Sequence, residues 1–282
     1  MHPAPLFLLP LLAPLIHAAP TATKSLWQPR PGSSWQIVLS AELDASRRLT
    51  PDTAVFDLDL FDTSAETIAQ LHARGKKVIC YFSAGSYEEW REDADSFART
   101  DMGRELDGWE GERWLDTRSK NVRNVMKKRI DLAATKGCDA IDPDNVDGFE
   151  NRNGLNLRES DAVSYVRFLA QTAASKGLST GLKNAQSIVR DVLDVVQFSV
   201  NEQCHEYREC GEYRPFINAG KPVFNIEYPP TAPRVPARIR TNLCSAYAGG
   251  DASGFSTIIK GMDLDGWVQL CEGTSATTET LK

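Results

Sequence analysis

The stretch Val122 to Asp144, VRNVMKKRIDLAATKGCDAIDPD, holds the pattern on which the fold turns. Val122 to Lys136 is amphipathic, Gly137 stops it, and Cys138-Asp139-Ala140-Ile141-Asp142-Pro143-Asp144 then reads as a short buried strand ending in carboxylates. A helix feeding straight into such a strand is the period of a parallel sheet. Working outward, the period recurs. Upstream lie Val55 to Leu60 followed by a helical Ser64 to Arg74 ended by Gly75, then Lys77 to Ser83 with a long acidic loop through Glu112, then the short run Arg113 to Asp116. Downstream, a polar Asn/Gly loop leads to a helix over Ser160 to Lys176 closed by Gly177, and four more runs follow: Leu178 to Lys183, Val195 to Val200, Pro222 to Glu227 and Gly254 to Lys260. Eight strand–helix units predict a single-domain α/β protein with a (β/α)8 TIM-type barrel. Trp35, Ile37, Val38 and Leu39, before the first run, predict a short extra N-terminal strand.

Leu6 to Ile16 is apolar and is followed by His17-Ala18-Ala19-Pro20, the layout of a secretory signal peptide, although its start carries no Lys or Arg. The expected organisation is therefore a leader over 1–19, the barrel over 20–272 and a polar C-terminal tail over 273–282, in a secreted, extracellular monomer with no membrane segment. Six cysteines form an even set for an oxidising compartment, so three disulfides are expected. The expected pairs are Cys204–Cys210, near enough to staple one loop, Cys80–Cys138 and Cys244–Cys271. Lys and Arg number 32 against 38 Asp and Glu, a net charge of -6, and the basic residues are scattered. Nucleic acid is thus not an expected partner, whereas a cationic or neutral ligand suits an acidic cleft.

In such a barrel chemistry sits where the C-terminal strand ends converge. Those ends carry Asp57, Asp59, Tyr81, Asp142, Asp144, Asp147, Lys183, Asn201, Glu202, Glu227, Tyr228 and Asp263, with Ser83, Asp116, Asn184 and Asp265 beside them. A crowd of carboxylates at one rim points to a site, because burying acids without a task is costly. Singly, each could be a solvated loop residue or a helix cap. A calcium loop starting at Asp142 fails, since Val146 and Asp147 stand where an oxygen ligand and a glycine are needed. Four histidines, two of them in the leader, offer no zinc set, and no GxSxG elbow is present. No metal and no cofactor are expected. Paired carboxylates without either are what glycoside hydrolysis requires: one group to protonate the leaving oxygen and one to act as base or nucleophile.

The segments Cys138-Asp-Ala-Ile-Asp-Pro-Asp-Asn-Val-Asp-Gly-Phe149 and Val200-Asn-Glu-Gln-Cys-His-Glu-Tyr-Arg-Glu-Cys210, with Cys80 to Gly85 and Asn225 to Tyr228, resemble glycoside hydrolase family 114 across about Trp27 to Cys271. Members are described as endo-α-1,4-polygalactosaminidases. The resemblance implies Asp144 as nucleophile, Glu202 as acid/base, and a retaining mechanism. It also implies a cationic amino-sugar polysaccharide as partner, to which a rim of Asp57, Asp59, Asp142, Asp147, Glu227 and Asp263 is suited. Asn201 would join that rim, and Tyr81, Tyr228 and Trp90 would offer faces for sugars. Lys183 would keep Asp144 ionised or donate to a sugar. Like charge from Asp144 and Glu227 is expected to raise the pKa of Glu202. Two other readings stand beside this one: a related barrel hydrolase on a neutral α-galactoside, and a non-catalytic carbohydrate-binding barrel.

Overall fold

The computed structural model describes residues 25–244 and 252–281; the expected leader over 1–19 lies outside them. In chain order the strands are β1 (Trp35–Val38), β2 (Val55–Asp59), β3 (Lys77–Ser83), β4 (Ser86–Glu88), β5 (Met102–Leu106) and β6 (Trp109–Leu115). There follow β7 (Ala140–Asp144), β8 (Ser179–Lys183), β9 (Phe198–Glu202), β10 (Val223–Glu227), β11 (Ser256–Ile259), β12 (Trp267–Leu270) and β13 (Ser275–Thr277). One curled ten-stranded sheet has the order β1-β2-β3-β7-β8-β9-β10-β11-β12-β13. Its strands from β1 to β11 are all parallel, and β12 and β13 close the edge antiparallel. The polar stretch after 273 thus supplies an edge strand.

The longer helices form where the apolar periodicity places them. α1 (Ala65–Ala73) starts on Ser64, whose side chain accepts from Thr67 N; α2 (Lys120–Lys136) starts on Ser119, which accepts from Asn121 N and Val122 N. α2 buries Val122, Val125, Met126, Arg129, Ile130 and Ala133, one face at helical spacing. α3 (Glu159–Ser175) does likewise with Ala162, Tyr165, Val166, Leu169, Ala170 and Ala173. Parallel strands buried on both faces need no polar alternation, and β2, β8 and β10 are buried at every position. A second apolar cluster fills the concave side, with Trp35, Ile37, Val55, Ile79, Ala140, Phe198, Phe224 and Ile258 among its members.

The regular eightfold repeat is not what the chain builds. Arg113 to Asp116, read as the third strand, lies in β6, which pairs antiparallel with β4 and β5 in a separate three-stranded sheet. The cause is local. Asp107 and Gly108 sit between paired Leu106 and Trp109, and Gly108 has φ 88, the left-handed backbone that a tight Asp-Gly hairpin demands. β3 and β7 therefore pair directly, and the eighth parallel strand is β1, the supposed extra strand, which pairs with β2 on its other side. Among the described residues no helix links β1 to β2, and no ladder joins β1 to β11. The two ends of the curl meet instead through Trp35 Nε1 donating to Ser256 O (2.7 Å) and Leu39 N donating to Leu264 O (2.9 Å).

All three expected disulfides, Cys80–Cys138, Cys204–Cys210 and Cys244–Cys271, are present. The first ties β3 to the turn two residues before β7, and the second closes the loop directly after β9. None of the helices among the described residues is long and apolar enough to cross a membrane.

Candidate active site

Side chains alternate along each strand, so the concave face of β2 carries Val55, Asp57 and Asp59 in ascending layers, and that of β7 carries Ala140, Asp142 and Asp144. The lowest layer belongs to the apolar cluster. The middle layer is Asp57 and Asp142, both fully buried. The top layer opens into a cavity of about 340 Å³ lined by Asp59, Tyr81, Asp144, Lys183, Glu202 and Tyr228, with Asp147 and Asp263 further round the wall.

Asp144, Lys183 and Glu202 are the last residues of β7, β8 and β9, three neighbouring strands. Lys183 Nζ lies 3.1 Å from Asp144 Oδ2 and 3.4 Å from Glu202 Oε2, so one ammonium bridges both carboxylates. Tyr81 Oη donates to Asp144 Oδ2 (2.8 Å) and the backbone N of Asn145 to Oδ1 (2.7 Å). Tyr228 Oη donates to Glu202 Oε1 (2.5 Å), and Asn184 Nδ2 to Oε2 (3.0 Å). After each of the three strands the chain turns through a left-handed residue: Asn145 (φ 59), Asn184 (φ 48) and Gln203 (φ 58). Asparagine tolerates that backbone better than most residues, and the turns lift each strand's last side chain to the cavity.

Not every residue expected at the rim reaches it. Asp57 and Asp142 lie in the floor, below the lining. Asn201 and Glu227 are on the opposite face of their strands, buried behind the sheet, where Glu227 Oε1 accepts from His205 N (3.0 Å) and so holds the disulfide-closed loop. Asp59 lines the cavity but is matched to Arg91, whose guanidinium reaches its two oxygens at 2.6 and 3.0 Å. Among the lining residues that the sequence reading did not single out are Arg91, Asn145, Trp109 and Glu112. The Asp-Gly turn at 107–108 was the available cue for the last two, because it fixes the hairpin that presents them.

The description of glycoside-hydrolase family GH114 matches residues 17–276. The chain belongs to that family and is a glycosidase. It superposes on the Aspergillus fumigatus protein Ega3, solved in complex with galactosamine, with a TM-score of 0.83 and 47% sequence identity, covering 88% of this chain and 99% of that one. The glycoside hydrolase domain of PelA from Pseudomonas aeruginosa shares the fold, with a TM-score of 0.62 and 15% identity over 82% of this chain and 96% of that one. No curated protein sequence gives a match.

The electrostatics of this GH114 site differ from the expectation for Glu202. Burial pushes its carboxyl up, but Lys183, Tyr228 and Asn184 together outweigh burial and hold it below its ordinary 4.5. Burial also works against Lys183, yet Asp144, Glu202 and Asp142 keep its ammonium well above 10.5. Beneath them, burial with added repulsion from Asp142 raises Asp57 well above 3.8. Burial likewise lifts Asp142, Asp147, Glu112 and Glu227 each to about 7.

Those raised acids bear on stability. Between their unfolded values near 4 and about 7 the folded chain holds protons that the unfolded chain has released, so stability falls as pH rises through that window. His205 and Lys260, both lowered by burial, the lysine to about 7, work in the opposite sense but are outnumbered by the raised acids. The melting temperature should therefore be higher at pH 5 than at pH 7 in scanning calorimetry; a lower value at pH 5 would contradict this account of the floor.

The position of Asp144 depends on one close approach. Ala84 N and Gly85 N both donate to Asp144 O (2.9 and 3.0 Å), and a Cβ on Gly85 would stand 1.7 Å from the backbone oxygen of Asn145. Gly85→Ala must push the 145–146 peptide away, and with it the Asn145 turn that orients Asp144. A shift of about 1 Å at a reacting group costs on the order of 100-fold in rate, so kcat should drop by about that factor while circular dichroism stays native.

Proposed function

We propose that the chain is a secreted endo-glycosidase of α-1,4-linked galactosamine polymer, with Asp144 as nucleophile, Glu202 as acid/base, and retention of configuration. The observation that carries the proposal is the pair itself: two carboxylates at the ends of β7 and β9, facing one cavity and bridged by the lysine that ends β8 between them. Because both touch the same Nζ, their nearest oxygens are separated by no more than the sum of the two contacts, about 6.5 Å. That ceiling favours the ~5–5.5 Å spacing of retaining enzymes over the ~6.5–9.5 Å that leaves room for an attacking water.

In the first step an Asp144 oxygen bonds to the anomeric carbon as the glycosidic C–O bond breaks, and Glu202 gives its proton to the departing oxygen. In the second, Glu202 takes a proton from water, whose oxygen displaces Asp144. Tyr81, Lys183 and Asn145 N hold the nucleophile oriented. Trp90 and Trp109, each more than half exposed at the cavity, offer faces on which sugars stack. Three disulfides fit export to an oxidising compartment. The substrate class rests on the 47% identity to a protein solved with galactosamine and on the acidic lining.

Incubation with partially deacetylated galactosaminogalactan, followed by mass spectrometry, should give oligomers cut at deacetylated stretches. Turnover should fall as salt rises, since screening over ~8–10 Å weakens attraction between the cavity and a cationic chain. Equal cleavage of a fully N-acetylated polymer without salt dependence would favour a neutral substrate, and binding without products would favour a non-catalytic module.

A further inference from the structure

The carboxylates of the cavity are not equivalent. Lys183 serves Asp144 and Glu202, and Arg91 serves Asp59 and Glu88 at 2.6 and 2.9 Å. Glu112 has no such cation. It projects from β6 into the cavity, is 7% exposed, and forms no ion pair among the described residues. Its Oε2 accepts from Ser86 Oγ (2.6 Å), and its other oxygen meets no donor among the described residues. Such a group carries the cost of desolvation without the return of a counter-charge.

We propose that Glu112 is a specificity-determining residue that receives a primary ammonium group of a sugar seated beside Asp144 and Glu202, with Trp109 of the same hairpin as the face on which the ring stacks. This rests on the amino-sugar reading above and names the residue that would enforce it. An ammonium brings a full charge and three donors to the unsatisfied oxygen. An N-acetyl group brings one amide donor, no charge and extra bulk, and a hydroxyl brings no charge.

Glu112 also communicates with the nucleophile. Ser86 Oγ, which donates to it, lies 2.5 Å from Ser83 Oγ, and Asn145 Nδ2 donates to both hydroxyls at 3.2 and 2.9 Å. The backbone N of the same Asn145 donates to Asp144. An amine on Glu112 is thus tied by one short network to the turn that orients Asp144. In the empty cavity Glu112, at about 7, is largely protonated in mildly acidic solution, and an arriving ammonium stabilises its carboxylate. Amine binding at pH 6 then expels a proton from Glu112.

Glu112→Gln keeps shape and an acceptor for Ser86 while removing the charge. Steady-state kinetics on partially deacetylated oligomers should show KM raised at least about tenfold with kcat within about threefold, and no comparable rise on N-acetylated oligomers. Galactosamine binding at pH 6, followed calorimetrically in two buffers of different ionisation enthalpy, should release clearly more protons from the wild type than from the variant, in which only Asp147, also raised to about 7 on the same wall, remains to respond. An equal rise in KM on both oligomers, or the same proton release from both proteins, would overturn the assignment. If the wild type fails to cleave deacetylated polymer, the substrate reading falls instead, and the calorimetry alone then decides the role of Glu112.

Discussion

Asp144→Asn should abolish polymer cleavage by several orders of magnitude while leaving the protein folded. The substitution keeps the shape of the side chain but removes the nucleophile, so no glycosyl-enzyme can form. The amide also disturbs its surroundings. Asp144 takes donors on both oxygens, from Tyr81, Lys183 and Asn145 N, and an amide nitrogen in place of one oxygen leaves at least one of them facing another donor. Some loss of thermal stability should accompany the loss of rate. Glu202→Gln should cripple turnover of polymer but spare more activity on substrates with an activated leaving group, which needs no proton. Azide should partly restore Glu202→Ala and yield a product of retained configuration, because the intermediate on Asp144 still forms. Asp142 is the natural control, since it shares the strand and face of Asp144 yet lies in the floor with no surface on the cavity. Wild-type rates in Asp144→Asn, with activity abolished in Asp142→Asn, would move the nucleophile one layer down and refute the assignment.

Why the sequence yielded some of this site and not the rest is a matter of range. Helix periodicity and stops are local, and α1, α2 and α3 begin and end within two residues of the expected Ser64 to Arg74, Val122 to Lys136 and Ser160 to Lys176. The sheet order is not local. Whether Arg113 to Asp116 joins the parallel sheet or folds back on β5 depends on a two-residue turn, and at Asp107-Gly108 the turn prevails over the strand count. Alternation along a strand is local too. Ile226 and Tyr228 face one way, so Glu227 between them must face the other, and the same holds for Asn201 beside Val200 and Glu202. One residue of offset separates a rim carboxylate from one buried behind the sheet. What no local pattern reveals is neutralisation across the fold: Asp59 and Arg91 are 32 positions apart, and their pairing removes Asp59 from the free negative charge of the cavity.

Lys183→Met tests the centre of the arrangement from the cationic side. The variant keeps much of the aliphatic stem but leaves two partly buried carboxylates facing each other without a counter-charge. Removing one partner of a buried charged set costs about 3–5 kcal/mol, so the melting temperature at neutral pH should fall sharply. The deficit should depend on pH in a defined direction. Because Glu202 is held below 4.5 in the native protein, its contribution to stability is present above the unfolded value and is lost as pH falls through the folded one. The gap between wild type and variant should therefore be widest above about pH 5 and narrow on acidification. Catalysis should respond in the same sense. Lys183 is the strongest influence lowering the Glu202 carboxyl, and without it burial and the charge of Asp144 raise the pKa of the acid. The alkaline limb of kcat, which requires protonated Glu202 in the enzyme–substrate complex, should then move to higher pH even as the maximal rate drops because Asp144 has lost one of its three donors. Differential scanning calorimetry from pH 3.5 to 8 and kcat profiles at saturating substrate would read both effects. An unshifted alkaline limb would mean that Lys183 does not set the proton affinity of Glu202, and a stability gap that widens towards acid would refute the bridging role of its ammonium.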